Sequence, residues 1–234
     1  MTITDIVNKV YFLTDTNSSS YTAANMLISM NNAYERVVTL IMESDGRWEW
    51  DDDNQTDLPL ATTTLVDAQQ DYGLAVTHLD IVRVEVKDSS GNYNQLTPIS
   101  QSDLKGKALD EFMKTDGMPV YYDKLASSVF LYPAPAAASV TTSEVLKIQF
   151  KRPPALYTSA EVTTGTKVPG FNSLYHGLIA LWASYDYCVA RGLQDKKRDL
   201  MFEITTLEDS LQSAYQDRSK DENLKLRLVR ETTR

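Results

Sequence analysis

Apolar residues recur at helical spacing from the first turn of the chain. Ile3, Ile6, Val7, Val10 and Tyr11 fall three or four apart, Thr2 stands ready as a cap, and Asp5 follows three residues later. This pattern predicts a first helix. The polar run Asp15-Thr-Asn-Ser-Ser-Ser20 breaks it. A longer helix is expected from Tyr21 to about Glu43, with Leu27, Met30, Tyr34, Val37 and Ile41 along one face. Ser44-Asp45-Gly46 closes it, because glycine takes the left-handed conformation that ends helices.

The period then changes to two. Trp48 and Trp50 alternate with Arg47 and Glu49, and Val82, Val84 and Val86 alternate with Arg83, Glu85 and Lys87. Such alternation describes strands with one buried and one wet face. Asp88-Ser-Ser-Gly-Asn92 makes a turn, and Tyr93 to Ile99 is the expected return strand. A short helix is expected over Ser102 to Lys114, stopped by Asp116-Gly117 and Pro119. Val129-Phe-Leu-Tyr132 and the alternation of Leu146, Ile148 and Phe150 supply further strands. Residues 155–170 read as a long polar loop.

Two helices close the chain. From Phe171 to about Leu193 the sequence is apolar nearly all round, with Leu174, Leu178, Ile179, Trp182, Tyr185 and Val189 on one side. Gly177, Ala180, Ala183 and Ala190 supply small residues elsewhere on it. A helix without a wet face has to be covered on most sides, which points to a bundle, with a neighbouring subunit as one source of cover. The last helix, about Asp195 to Asp217, carries Leu200, Ile204, Leu207, Leu211 and Tyr215 at amphipathic spacing. The expected fold class is α+β: a helical bundle from the N- and C-terminal helices, an inserted β-rich region and an extended C-terminal tail. The expected boundaries are 1–46 and 171–217 for the bundle, 47–170 for the insertion and 218–234 for the tail.

Composition narrows the chemistry. With 234 residues, 42% hydrophobic and 24% charged, the chain can bury a substantial core. Its one cysteine, Cys188, excludes an internal disulfide framework, and with only His78 and His176 beside it a His/Cys metal cluster is not expected. The opening Met1-Thr-Ile-Thr-Asp5 has no basic region followed by an apolar one, so no signal peptide is expected, and no apolar run is long enough to span a bilayer.

Candidate sites fail one by one. Asp51-Asp52-Asp53 lacks the alternating oxygen ligands, central glycine and terminal glutamate of a calcium loop, and reads as a solvated acidic loop. His176 and Asp186 lie ten residues apart on one expected helix, about 15 Å at 1.5 Å per residue, too far to form a triad. Cys188 sits among apolar residues, where a thiol is usually small and buried. His78, beside a turn with no cluster around it, reads as a surface residue, and no glycine-rich phosphate loop occurs. Neither catalysis nor a cofactor is expected.

Charge is uneven. The net charge is −9, yet residues 218–234 hold six basic side chains against three acidic ones, a net of +3, which leaves the body at −12. An acidic body repels phosphates, so generic DNA binding by it is disfavoured, and the tail stands apart as a contact device.

Several stretches, taken in order, resemble the head–tail adaptor or connector proteins of short-tailed bacteriophages. They are Gly46-Arg-Trp-Glu-Trp-Asp-Asp52 with Asp57-Leu-Pro-Leu-Ala-Thr62, then Gly73 to Ser100 around His78-Leu-Asp-Ile-Val-Arg-Val-Glu-Val-Lys-Asp88. Gly117-Met-Pro-Val-Tyr-Tyr122, Val129-Phe-Leu-Tyr-Pro-Ala-Pro135, Val168-Pro-Gly-Phe171 and Arg218-Ser-Lys-Asp-Glu222 complete the series. The resemblance is one of order and spacing over nearly the whole chain, without a diagnostic short motif. It implies a virion protein at the head–tail junction, made in the host bacterial cytoplasm. It also implies a ring of twelve copies under the portal protein that extends the DNA channel without gripping DNA and docks the tail nozzle or tube.

The tail then takes a role. Leu224, Leu226 and Leu228 alternate with Lys225 and Arg227, which fits an extended strand with one apolar and one cationic face, flanked by Lys220 and Arg230. These seven residues are the expected portal-binding arm, and a frayed continuation of the last helix is the bland alternative. Two other functions compete with this one. A β-rich module recognising a glycan or receptor uses the aromatic residues but leaves the terminal helices unexplained. A hydrolase or nuclease built on Asp51–Asp53 lacks a second cluster of ligands.

Overall fold

The computed structural model describes residues 1–44, 59–100, 116–140 and 144–216. The readings of Trp48 and Trp50, Gly46, the acidic Asp51–Asp53, the helix over 102–114 and the arm over 218–234 lie outside the described residues. Among those described, five α-helices and two four-stranded sheets form an α+β fold. The chain divides into two compact units, a helical one from the two ends and a β-rich one from the middle.

Helix α1 spans Ile3–Thr14 and begins with a reciprocal cap: Thr2 Oγ1 accepts from the Asp5 N–H, and the Thr2 N–H donates to the Asp5 carboxylate at 2.9 Å. That bonding holds the Asp5 carboxyl below its ordinary range. Ile3, Ile6, Val7 and Val10 are buried as their spacing requires. Helix α2, Ala23–Ser44, buries Met26, Met30, Ala33, Tyr34, Val37, Val38 and Ile41, whereas Leu27 is only half-buried.

The stretch 155–170 is not a featureless loop. It holds helix α3, Ser159–Thr164, opened by a second reciprocal cap between Thr158 and Glu161. The Thr158 N–H donates to Glu161 Oε2 at 2.7 Å. Gly165 ends the helix with its N–H on the Glu161 carbonyl, so close that a Cβ there would collide with the Glu161 backbone. Long-range bonds fix the segment: the Asn31 side-chain amide both donates to the Tyr157 carbonyl (3.0 Å) and accepts from its N–H (2.9 Å). Tyr157 stacks on Tyr34 at 4.9 Å, and the Ile3 N–H donates to the Lys167 carbonyl at 2.9 Å. Residues from Pro154 onward therefore cluster with the helices, and the β-rich unit closes at Pro153, where the sequence pattern had carried the insertion to residue 170.

The expected continuous helix from Phe171 is broken. Asn172 Oδ1 accepts from the Leu174 N–H at 3.0 Å and caps a 3₁₀ turn, Ser173–Tyr175, before helix α4 runs from Gly177 to Arg191. The change of phase turns Leu174 outward, 77% exposed, rather than onto the covered side. Leu178 through Ser184 are buried on every side, but cover thins in the last turn, where Tyr185 is half-buried and Val189 exposed. Gly192 stops α4 in the left-handed region, at φ 69°. Helix α5, Gln194–Gln216, buries Leu200, Ile204, Leu211 and Tyr215, with Leu207 half-buried.

In the β-rich unit, strands β1 (Leu60–Thr63), β8 (Leu146–Lys151), β3 (Asp80–Lys87) and β4 (Tyr93–Gln95) form one antiparallel sheet in that order. Strands β2 (Asp71–Gly73), β7 (Ser128–Tyr132), β6 (Tyr121–Leu125) and β5 (Thr97–Pro98) form the other, in which β5 and β6 are parallel. Val84, Val86, Leu146 and Ile148 from the first sheet share a core with Tyr72, Tyr122, Val129 and Leu131 from the second.

Two expectations change here. A register shift between Ile81 and Arg83 bulges Val82 out to 44% exposure, so Ile81, opposite Phe150, takes the inward place. The return strand Tyr93–Ile99 is shared between the two sheets, and buried Leu96 marks the crossing. On the wet side of the first sheet Glu85 is nevertheless buried, because it pairs with Lys147 and with Arg83 at 2.6 Å. The Lys147 hydrogen bond above all holds its carboxyl below the usual range.

Trp182 tests the bundle directly. Its ring is 8% exposed, its N–H donates to Glu208 Oε1 at 2.8 Å, and the Arg36 guanidinium lies 3.8 Å above it. Trp182→Ala should cost about 3–5 kcal/mol in urea unfolding, the usual loss for a buried large aromatic.

Candidate interaction surfaces of the helical unit

The nucleophilic and titratable groups that drew attention in the sequence are structural. Cys188 is fully buried, and burial pushes its thiol up. His176 is 1% exposed and sits at the entry to α4, its Nε2 2.8 Å from the Phe171 carbonyl and its Nδ1 2.9 Å from the Met1 amino group. An acceptor on one side and an ammonium on the other fix the neutral ring with its proton on Nε2. Burial holds its pKa down, with the Phe171 bond opposing. His78 is half-buried rather than superficial: its ring packs on Phe150 at 3.9 Å, and burial lowers its pKa. Among the described residues no three His, Cys, Asp or Glu side chains gather to hold a metal ion.

Surfaces are more informative than groups. An open groove of about 620 Å³ runs along α5 beside the end of α4. Tyr185, Met201 and Phe202 supply its apolar lining, Lys197 and Arg198 its cationic rim, and Asp209 its far end. Lys197 Nζ lies 5.8 Å from the Tyr185 ring centre, and Phe202 is 79% exposed. A second groove of about 370 Å³ lies between the start of α2 and the end of α4, lined by Tyr21, Ile28, Asp186, Tyr187 and Arg191. Tyr21 and Tyr187 meet there at 4.7 Å. Burial raises the Asp186 carboxyl above its ordinary range, while Arg36 opposes the shift. On α1, Asp5, Asn8 and Phe12 are exposed in one stripe, with Phe12 at 85%, and the exposed Asp15 is the C-cap that follows.

The seven arm residues proposed from sequence, Lys220, Leu224, Lys225, Leu226, Arg227, Leu228 and Arg230, lie outside the described residues, so none is placed against these surfaces. Sequence reading missed Phe12 and Phe202. The signal was present, since each falls out of phase with the apolar stripe of its own helix.

The helical unit thus offers exposed aromatic side chains as contact surfaces. The model of the SU10 adaptor protein family matches residues 1–228, and the chain belongs to that family, a family of phage adaptors. No curated protein matches the chain. No described helix is long and apolar enough to cross a membrane.

The raised carboxyl of Asp186 has a consequence for stability. A group whose folded pKa lies above its unfolded value, 3.8 for this aspartate, lowers stability as pH rises between the two. Asp186→Asn should therefore raise the urea midpoint at neutral pH and flatten the fall in stability just above the ordinary carboxyl range.

Proposed function

We propose that this chain is the ring-forming adaptor beneath the portal of a tailed phage. Twelve copies extend the DNA channel and give the next tail component, the nozzle or tube, its docking surface. The observation that carries this reading is the match to an adaptor family over residues 1–228. The match includes residues 218–228 and so takes in most of the basic arm. Charge agrees with the assignment: a body of −12 does not retain DNA that must pass through, because tight retention needs many cationic contacts to phosphate. No catalytic step belongs to this role, and the protein acts by the surfaces it presents.

The arm is the portal contact in this reading. Leu224, Leu226 and Leu228 pack into a groove or against a strand edge on the portal, while Lys225 and Arg227 face outward. Removal of residues 218–234 should leave the melting midpoint nearly unchanged and abolish attachment to portal-bearing heads. Normal attachment of the shortened chain would count against the arm.

The channel assignment has its own measurement. A chain ending at Asp217 should show no tight DNA binding at low salt. An affinity that falls steeply with added salt would mean that the body grips phosphates and would sink the acidic channel.

A further inference from the structure

Two exposed phenylalanines stand on helices that flank α4 at separate places. α1 and α5 each pack against α4 and share no substantial packing with each other. Phe12 lies on the side of α1 opposite Ile3, Ile6, Val7 and Val10, in the stripe that carries Asp5, with Asp15 close by at the C-cap. Phe202 lies on the side of α5 opposite Leu200, Ile204 and Leu211, in the groove with Tyr185 and Met201. One flank thus presents an apolar knob with acidic neighbours, and another presents an apolar groove with a cationic rim.

Patches that differ in this way can meet reciprocally across a two-fold axis, knob in groove twice over, or link copies head to tail. In a head-to-tail contact each copy uses its knob on one neighbour and its groove on the other. Repeated contacts of that kind close into a ring when the rotation between copies allows it. The groove, about 620 Å³ and open to solvent, has room for one phenylalanine side chain.

We propose that Phe12 of one copy seats between Tyr185, Met201 and Phe202 of the next copy, with Asp5 and Asp15 facing Lys197 and Arg198. Arg198 is held only loosely by its own neighbours, 3.9 Å from Asp195 and 3.8 Å from Asp199, and is free to turn toward a new carboxylate. Exposed ion pairs add little affinity, so the charges set register and exclude wrong partners while the aromatic contact holds the copies together. The inference rests on the ring reading and names the contact that closes the ring.

Cysteine cross-linking separates this contact from the ring itself. Cys188 is buried, so cysteines introduced at Asn8 and Thr205 are the accessible thiols among the described residues, and both phenylalanines remain in place. The full-length Asn8→Cys/Thr205→Cys variant, assembled on portal-bearing heads and treated with a short bismaleimide, should give a ladder of covalent multimers. Either single variant should give dimers at most. Rings of the double variant seen by electron microscopy without a ladder would overturn the contact and leave the ring reading standing. A wild-type chain that remains monomeric on those heads would overturn both. Phe12→Asp supplies an independent arm: with an unchanged circular dichroism spectrum it should weaken self-association by about tenfold or more, as loss of an interface anchor does. Unchanged self-association would refute the seat for Phe12.

Discussion

Cover for α4 is the requirement on which the helical unit depends. Leu178, Ile179, Leu181 and Trp182 point to different sides of one short helix, and all are buried. Removing each such side chain from water contributes roughly 1.5–3 kcal/mol, but only if neighbouring elements surround the helix. α1, α2 and α5 all pack on α4, and they come from opposite ends of the chain. Small residues make the approach possible: Ala180, Ala183 and Ser184 are fully buried, and the Ser184 hydroxyl satisfies itself on the Ala180 carbonyl at 2.7 Å. The two ends of the sequence must meet before this helix is stable, and the middle of the chain is free to form a unit with its own core.

Polar groups then fix the elements around α4 in place. Burying tyrosines yields most when each hydroxyl keeps a partner. The Tyr34 hydroxyl accepts from the Gly170 N–H at 3.1 Å, that of Tyr215 accepts from the Asn172 N–H at 3.2 Å, and that of Tyr175 donates to the Ser210 carbonyl at 3.2 Å. Together with the Asn31–Tyr157 amide pair, these bonds attach the segment entering α4 to α2 and α5. Irregular backbone is thus held with definite geometry, because its N–H and carbonyl groups find partners on regular elements.

The outer side of the same helices bears on function. An adaptor works by presenting surfaces, and here Phe12 and Phe202 occupy the sides of α1 and α5 opposite their buried residues. Phe12 and Phe202 lie outside the core, 85% and 79% exposed. Exposed aromatic side chains of this kind make strong anchors at protein–protein interfaces. The excess acidic charge of the chain discourages nonspecific contact with nucleic acid.

Local signals were readable without tertiary structure. The Thr2–Asp5 cap, the stripes of α1, α2 and α5, the all-round burial around Leu178–Ser184 and the Asp88–Asn92 turn depend on residues within a few positions of one another. So did the order of helices, β-rich region and helices. Where a distant partner chooses the outcome, local pattern failed. Val82 keeps perfect alternation in sequence, yet pairing of Ile81 with Phe150 expels it into a bulge. Leu96 reads as the middle of one strand, but two different sheets claim its two sides. Polarity made 155–170 look like a loop, whereas Asn31, Tyr34 and α1, more than a hundred residues away, hold it in place. Leu174 followed the helical stripe until the Asn172 cap changed the phase. Periodicity records which face of an element is apolar, and only the packed structure determines which neighbour covers it and which apolar side chains remain uncovered.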